Sequence, residues 1–170
     1  IVSAAKCEAV DVIMATPPCQ GISRAGKQEE DDQRNLLILP VLACVRDVRP
    51  KYVLIENVPQ FNETTIKIGG ETVLIVDHIK RILGEEYDIS INVIDTKNYA
   101  VPQTRQRAII LLTRNDQDAL WRLPDQNEHL VSVRDAIGNL PSLDPYVSDI
   151  SEEERLELFP AFYKKQAEGR

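Results

Sequence analysis

Aromatic residues make up only 5% of this 170-residue sequence: three Phe, five Tyr and one Trp. That leaves little surface for holding single-stranded nucleic acid, whose bases bind largely by stacking on aromatic rings. Cysteine is also scarce. Cys7, Cys19 and Cys44 are an odd number with no close pair, and only His78 and His129 could add imidazole ligands. Neither a disulfide framework nor a metal site can be assembled from that set, so a reducing, cytoplasmic setting is expected. No hydrophobic run approaches the ~20 residues that cross a bilayer, and no secretory signal pattern is present, so no membrane partner is expected. Positive charge is not in excess either. Lys and Arg number 20 against 27 Asp and Glu, and a net charge of -7 argues against gripping nucleic acid by bulk charge.

The charge is unevenly spread. Residues 1–114 carry a balance of -1 and residues 115–170 a balance of -6. The first two-thirds can therefore touch a polyanion locally, while the tail is acidic. The chain has no internal repeat or low-complexity tract, and its length suits one compact domain. It begins at Ile1 rather than Met, so a piece of a longer gene product is expected.

Short apolar runs at residues 12–15 and 52–55 lack polar alternation and read as buried strands. Between them, residues 35–48 carry Leu36, Leu39, Leu42, Ala43 and Val45 at helical spacing, closed by Arg46, Arg49 and Pro50. A second helix is predicted over residues 72–83, with Gly84 as its stop, and Gly69-Gly70 reads as a turn. Further strands are predicted at 89–94 and 108–112. Strands alternating with helices imply an α/β fold with a mostly parallel sheet covered on both faces. After Arg114 the pattern breaks up around Pro124, Pro141, Pro145 and Pro160. Residues 133–137 and 151–158 still look helical, and Ser151 with Glu154 forms a capping-box signature. Met14 is expected in the core, His78 in solvent, and Trp121 as an anchor for the tail against the sheet.

Ligands of α/β sheets bind at strand ends, and three clusters stand there. Thr16-Pro17-Pro18-Cys19-Gln20-Gly21 follows the first strand, Glu56-Asn57-Val58 ends the second, and Pro102-Gln103-Thr104-Arg105-Gln106-Arg107 precedes the last. A thiol, a carboxyl and two guanidiniums are thus expected at one sheet edge. The prolines restrain how Cys19 is approached. Gly21, Gly26 and the polar run to Gln33 have the composition of a lid. A buried core thiol is the plainer reading of a lone cysteine, and Cys7 and Cys44 are assigned to it. Glu56 ends an apolar strand, so a partly desolvated carboxyl able to hold or deliver a proton is expected; a structural partner for a nearby Arg is the equal alternative. If the last strand already begins at Arg105, then Arg105 and Arg107 share a face as paired donors.

Together these clusters, in this order and spacing, resemble the cytosine-5 DNA methyltransferase family up to about Ile137. Residues 11–23, continuing to Gly26-Lys27-Gln28, are similar to the family's nucleophile motif and loop. Glu56-Asn57-Val58 resembles its Glu-Asn-Val motif, and Gln103-Thr104-Arg105-Gln106-Arg107 its Gln-x-Arg-x-Arg motif. Tyr99-Ala100-Val101-Pro102 and Val133-Arg134-Asp135-Ala136-Ile137 sit where such enzymes carry like segments. The resemblance implies a Rossmann-like methyltransferase fold, incomplete in this chain. It makes Cys19 the nucleophile toward the 6-position of a flipped cytosine in duplex DNA. Glu56 would contact the ring nitrogen and exocyclic amine, Arg107 the cytosine O2, and Arg105 would support the site. Pro18, Ser23 and Asn57 would lie on the substrate, and Pro18 and Leu37 would touch the methyl donor, S-adenosylmethionine.

The family's glycine-bearing cofactor loop and its closing motifs have no counterpart here, and Thr16 stands where Gly or Ala is commoner. Residues 1–114 are therefore expected to be the catalytic part of the domain. Residues 115–170 are expected to be a connector and the start of the target-recognition region. The piece is expected to be inactive without the missing portions or a complementary subunit. A bacterial or phage-like enzyme, for example of restriction-modification, is the expected source of such a compact sequence. A tRNA cytosine-5 methyltransferase and a noncatalytic DNA-binding paralogue remain as alternatives.

Overall fold

The computed structural model describes residues 10–18, 33–140 and 151–160. The chain divides into two compact units, Ile1–Val131 and Ser132–Arg170.

In the first unit, strand β1 (Val12–Ala15) runs parallel to strand β2 (Tyr52–Asn57), and the connection carries helix α1 (Ile38–Val48). The predicted helix over 35–48 resolves into a 3-10 turn, Gln33–Leu37, followed by α1. Pro40 explains the division. It has no N–H for a carbonyl four residues back, so it is tolerated only in the first turn of an α-helix. Helix α1 buries Ile38, Leu42 and Val45 and ends where Arg49 turns left-handed at φ 52°, its N–H on the Val45 carbonyl at 2.8 Å. That corner is held by Arg49 Nε on Glu86 at 2.8 Å and by the Arg114 guanidinium donating to the Arg49 carbonyl.

Strands β3 (Thr65–Ile68) and β4 (Glu71–Leu74) form a separate antiparallel hairpin. Gly69 and Gly70 make its turn at φ 59° and 89°, a two-residue hairpin geometry that L side chains enter with strain. The helix predicted from residue 72 therefore begins later, as α2 (Ile75–Leu83). Strands β5 (Tyr87–Asp95) and β6 (Gln106–Arg114) complete a four-stranded sheet of order β1-β2-β6-β5.

Among the described strands only β1 and β2 pair in parallel, whereas β6 is antiparallel to both β2 and β5. The α/β class stands, but the sheet is mixed rather than mostly parallel. The alternation of strands and helices led to the wrong pairing because the 96–105 connection is too short for a crossover and must be a hairpin. Coverage differs too. Both α1 and α2 pack into one core with Val53, Ile55, Phe61, Tyr87, Ile110 and Leu112, so the two helices share one face of the sheet. Val12 and Met14 alternate to the other face, and Met14 is 71% exposed rather than a core residue. On that face Trp121 meets Tyr52 edge-on at 5.9 Å, and its backbone N–H donates to Thr113 Oγ1 at 2.8 Å, which is the anchoring expected of it. Cys44 is half-buried, and Cys7 lies outside the described residues.

In the second unit, helix α3 (Val133–Ile137) starts with a capping box between Ser132 and Asp135. Helix α4 (Glu152–Leu158) starts with the expected one between Ser151 and Glu154, whose carboxylate accepts the Ser151 N–H at 2.8 Å. Among the described residues no helix is long and apolar enough to cross a membrane.

His78 departs from expectation. Its polar neighbours predict solvent exposure, yet it is 7% exposed on α2, with Nδ1 2.9 Å from an Arg81 Nη. Arginine only donates, so Nδ1 accepts and the ring proton belongs on Nε2. Burial, and secondarily the Arg81 charge, holds the imidazole pKa below its ordinary 6.5. The unfolded chain thus takes up a proton below about pH 6.5 that the folded chain resists, so this group erodes stability as the pH falls through that value. His78→Gln keeps an acceptor for Arg81 but does not titrate. Its urea midpoint is expected to fall less than that of the wild type between about pH 7.5 and 5.5; equal falls would remove His78 as the source.

Candidate active site

The parallel pair β1 and β2 ends at a common edge, where Ala15 is followed by Thr16, Pro17 and Pro18 and where Glu56 and Asn57 close β2. Because β6 is antiparallel, its first residues arrive at that same edge, with Ala108 opposite Asn57 and Ile109 opposite Glu56. Arg107 is thereby a diagonal neighbour of Glu56 on the sheet face away from α1 and α2. Arg107 Nε meets Glu56 Oε1 at 2.6 Å, and an Arg107 Nη donates to the Gln106 carbonyl at 2.7 Å. The two side chains are 17% and 32% exposed. Glu56 is thus an ion-paired, partly solvated carboxylate, the Arg-partnered alternative of the two the sequence left open. A charge-assisted bond of this length fixes both side chains at the edge before any ligand arrives.

Asn57 points the other way. It is 3% exposed, its Nδ2 donates to the Pro17 carbonyl at 3.1 Å, and its Oδ1 accepts the Val58 N–H at 2.9 Å.

Arg105 stands just before β6, which begins at Gln106, so the condition for Arg105 and Arg107 to share a strand face is not met. Arg105 is exposed, its carbonyl accepts the Thr96 N–H at 3.0 Å, and its own N–H reaches Asp95 Oδ1 at 3.3 Å. Asp95 also takes the Lys97 N–H at 3.3 Å, and Thr96 Oγ1 donates to the Gln103 carbonyl at 2.7 Å. Asp95 therefore shapes the mouth of the hairpin that presents Arg105, a role sequence reasoning missed. The signal was available, because Asp at a strand end commonly bonds backbone N–H groups a few residues on.

Pro18 is exposed and directly precedes Cys19 in the chain. Cys19, Ser23 and the polar run as far as Asp32 lie outside the described residues. Leu37 ends the 3-10 turn ahead of α1 and is 39% exposed. The structure thus brings Glu56, Arg107, Asn57 and the Pro17-Pro18 segment to one edge, with Arg105 at the adjoining hairpin. Exposed Leu37 and the backbone at Pro18 can each offer one contact to a cofactor. Gly69 and Gly70 belong to the β3–β4 turn, so they do not form a phosphate or nucleoside cradle of the strand-to-helix kind.

Residues 2–168 match the C-5 cytosine-specific DNA methylase family. The chain belongs to that family. Its relatives include the Type II methyltransferase M1.HgaI of Avibacterium volantium, 41% identical over 140 residues, which cover 79% of this chain and 38% of the relative. The Type II methyltransferase M.AgeI of Thalassovita gelatinovora is 33% identical, over 78% of this chain and 35% of its own length. A solved E. coli structure described as a prophage-encoded DNA modification methyltransferase superposes with a TM-score of 0.60 at 26% identity. That match covers 79% of this chain and 36% of the other. The chain therefore spans little more than a third of these methylases.

A double-mutant cycle of Glu56→Gln and Arg107→Gln, read by chemical denaturation, is expected to give a coupling of about 1 kcal/mol, at the upper end of what solvent-screened pairs contribute. Additive effects would mean that the pair does not form in solution.

Proposed function

We propose that this chain is the catalytic part of a DNA (cytosine-5-)-methyltransferase acting on a cytosine flipped out of duplex DNA. The observation that carries this is the Glu56–Arg107 pair, set at the edge where the Pro17-Pro18 segment leaves β1. The pyrimidine 5-position is a weak nucleophile in the aromatic ring. Addition of the Cys19 thiolate at the 6-position converts the ring into an enamine nucleophilic at carbon 5. Glu56, at the ring nitrogen and exocyclic amine, stabilises the adduct as electron density shifts. Arg107 holds the O2, Arg105 supports it from the hairpin, the Pro18 backbone faces the amine, and Ser23 meets the DNA backbone. Loss of the 5-proton then expels Cys19 and restores aromaticity.

S-adenosylmethionine, when bound, supplies the electrophilic methyl group. Leu37 and Pro18 would touch one edge of it, and the larger part of its site would come from the two-thirds of the family's length not represented in this chain. Residues 1–114 are the catalytic part in this reading, and 115–170 a connector leading into target recognition. The bacterial Type II relatives support a cytoplasmic role in restriction-modification.

Two outcomes are expected. The 170-residue chain alone, given S-adenosylmethionine and cytosine-containing duplex DNA, incorporates no methyl groups; turnover abolished by Cys19→Ala would refute that. The complete enzyme, given duplex DNA with 5-fluorocytosine, forms a denaturation-resistant adduct that maps to Cys19, because fluorine cannot leave as the proton does. No adduct together with methylation of tRNA in place of DNA would move the substrate to RNA. Neither activity would leave a noncatalytic DNA-binding protein.

A further inference from the structure

We propose that Asn57 is a positioning residue that sets the approach of Cys19 by holding the Pro17 carbonyl, and that it does not touch the base. This rests on the methyltransferase reading above. The β1–β2 ladder pairs Ala15 with Ile55, so two steps further along Pro17 falls opposite Asn57. The backbone ladder stops before that point, since Pro17 and Pro18 have no N–H to donate. In the register that sets the Tyr52 N–H on the Asp11 carbonyl, the ladder donor to the Pro17 carbonyl would be the Val58 N–H, which bonds Asn57 Oδ1 instead, and the Asn57 amide takes the carbonyl at 3.1 Å. Its other end is spent on the Val58 N–H at 2.9 Å, and the side chain is 3% exposed. Both ends of the amide are therefore engaged within the protein, which displaces the substrate contact expected of this residue.

The consequence for Cys19 follows from chain geometry. Once the Pro17 carbonyl is anchored, the next peptide plane is oriented, and the Pro18 ring fixes φ. One soft torsion, ψ of Pro18, then separates the anchored segment from the Cys19 Cα. Glu56 and Asn57 are consecutive on a central strand and face opposite ways. One side chain presents the carboxyl while the next holds the Pro17-Pro18 segment that leads into Cys19. The position needs both a donor and an acceptor at amide length. Asp lacks the donor at neutral pH, and Ser is too short to bridge.

The test uses the complete enzyme, wild type or carrying Asn57→Asp or Asn57→Ser, at a temperature where circular dichroism shows each folded. It reads the single-turnover rate of adduct formation on 5-fluorocytosine duplex DNA beside the Kd for that DNA. Adduct formation is expected to slow roughly 10- to 100-fold in both variants, as for a misplaced reacting group, with Kd changed less than about threefold. Relative to wild type, N57D should recover as the pH is lowered to about 5.5, where a buried carboxyl regains a proton to donate, and N57S should not. Wild-type rates in both folded variants, or a rate loss that only follows weaker DNA binding, would overturn the positioning role. If neither variant folds, side-chain amide exchange of Asn57 in the wild type decides: slow exchange supports the anchor, and exchange as fast as at a surface Asn overturns it. No adduct in the wild type would instead overturn the methyltransferase reading itself.

Discussion

Strand β2 is hydrogen-bonded on both sides, in parallel to β1 and antiparallel to β6, and the candidate site depends on that double pairing. A strand locked on both edges cannot slip by one residue without turning all its side chains to the wrong face. Val53, Ile55 and Asn57 must face the helices, and Tyr52, Leu54 and Glu56 must face away. The sequence Tyr-Val-Leu-Ile-Glu-Asn is apolar on both faces until its last two positions, so stability and chemistry are separated along the strand rather than across it.

The two faces are then unequal in energy. On the helix side, Ile38, Leu42, Val45, Val53, Ile55, Ile75, Ile79, Ile110 and Leu112 are all buried in one cluster. Each such side chain removed from water contributes about 1.5–3 kcal/mol before conformational entropy is subtracted. The Glu56–Arg107 pair, partly solvated, contributes about 1 kcal/mol at most. The pair is therefore a passenger on the core rather than its support, and a change there costs little in folding. The hairpin of β3 and β4 and the helix that carries His78 add Ile66, Ile75 and Ile79 to this core.

Much of this was legible in the residues. The spans of β1 and most of β2 follow from short unalternated apolar runs, and the Ser151–Glu154 box from its spacing. Where reading failed, a stronger constraint overruled periodicity. Pro40 shortened α1, and the paired glycines turned residues 71–74 into a strand. Met14 has the apolar character of a core residue but the wrong parity, and parity is fixed only once β1 has a partner and a covered face. His78 has polar neighbours in sequence, yet in space it stands beside Ile75 and Ile79 on the helix's buried stripe. Motif spacing located Glu56 and Arg107, but no one-dimensional pattern shows that Asn57 faces Pro17, because that contact spans 40 residues.

The direction of β6 links topology to chemistry most directly. A parallel β6 and the meeting of Glu56 with Arg107 are incompatible, since Arg107 lies at the start of its strand and Glu56 near the end of its own. With β6 parallel, Arg107 would begin beside Tyr52, roughly 13–17 Å from Glu56 at the rise of a β-strand. No arginine side chain spans that distance. Reversing β6 brings its first residues to the edge where β1 and β2 finish, and the short 96–105 connection, closed by Asp95, Thr96 and Gln103, is what makes the reversal possible. The guanidinium reaches the site because the last two strands form a hairpin, so the departure from a parallel sheet is the structural condition for the Glu56–Arg107 pair.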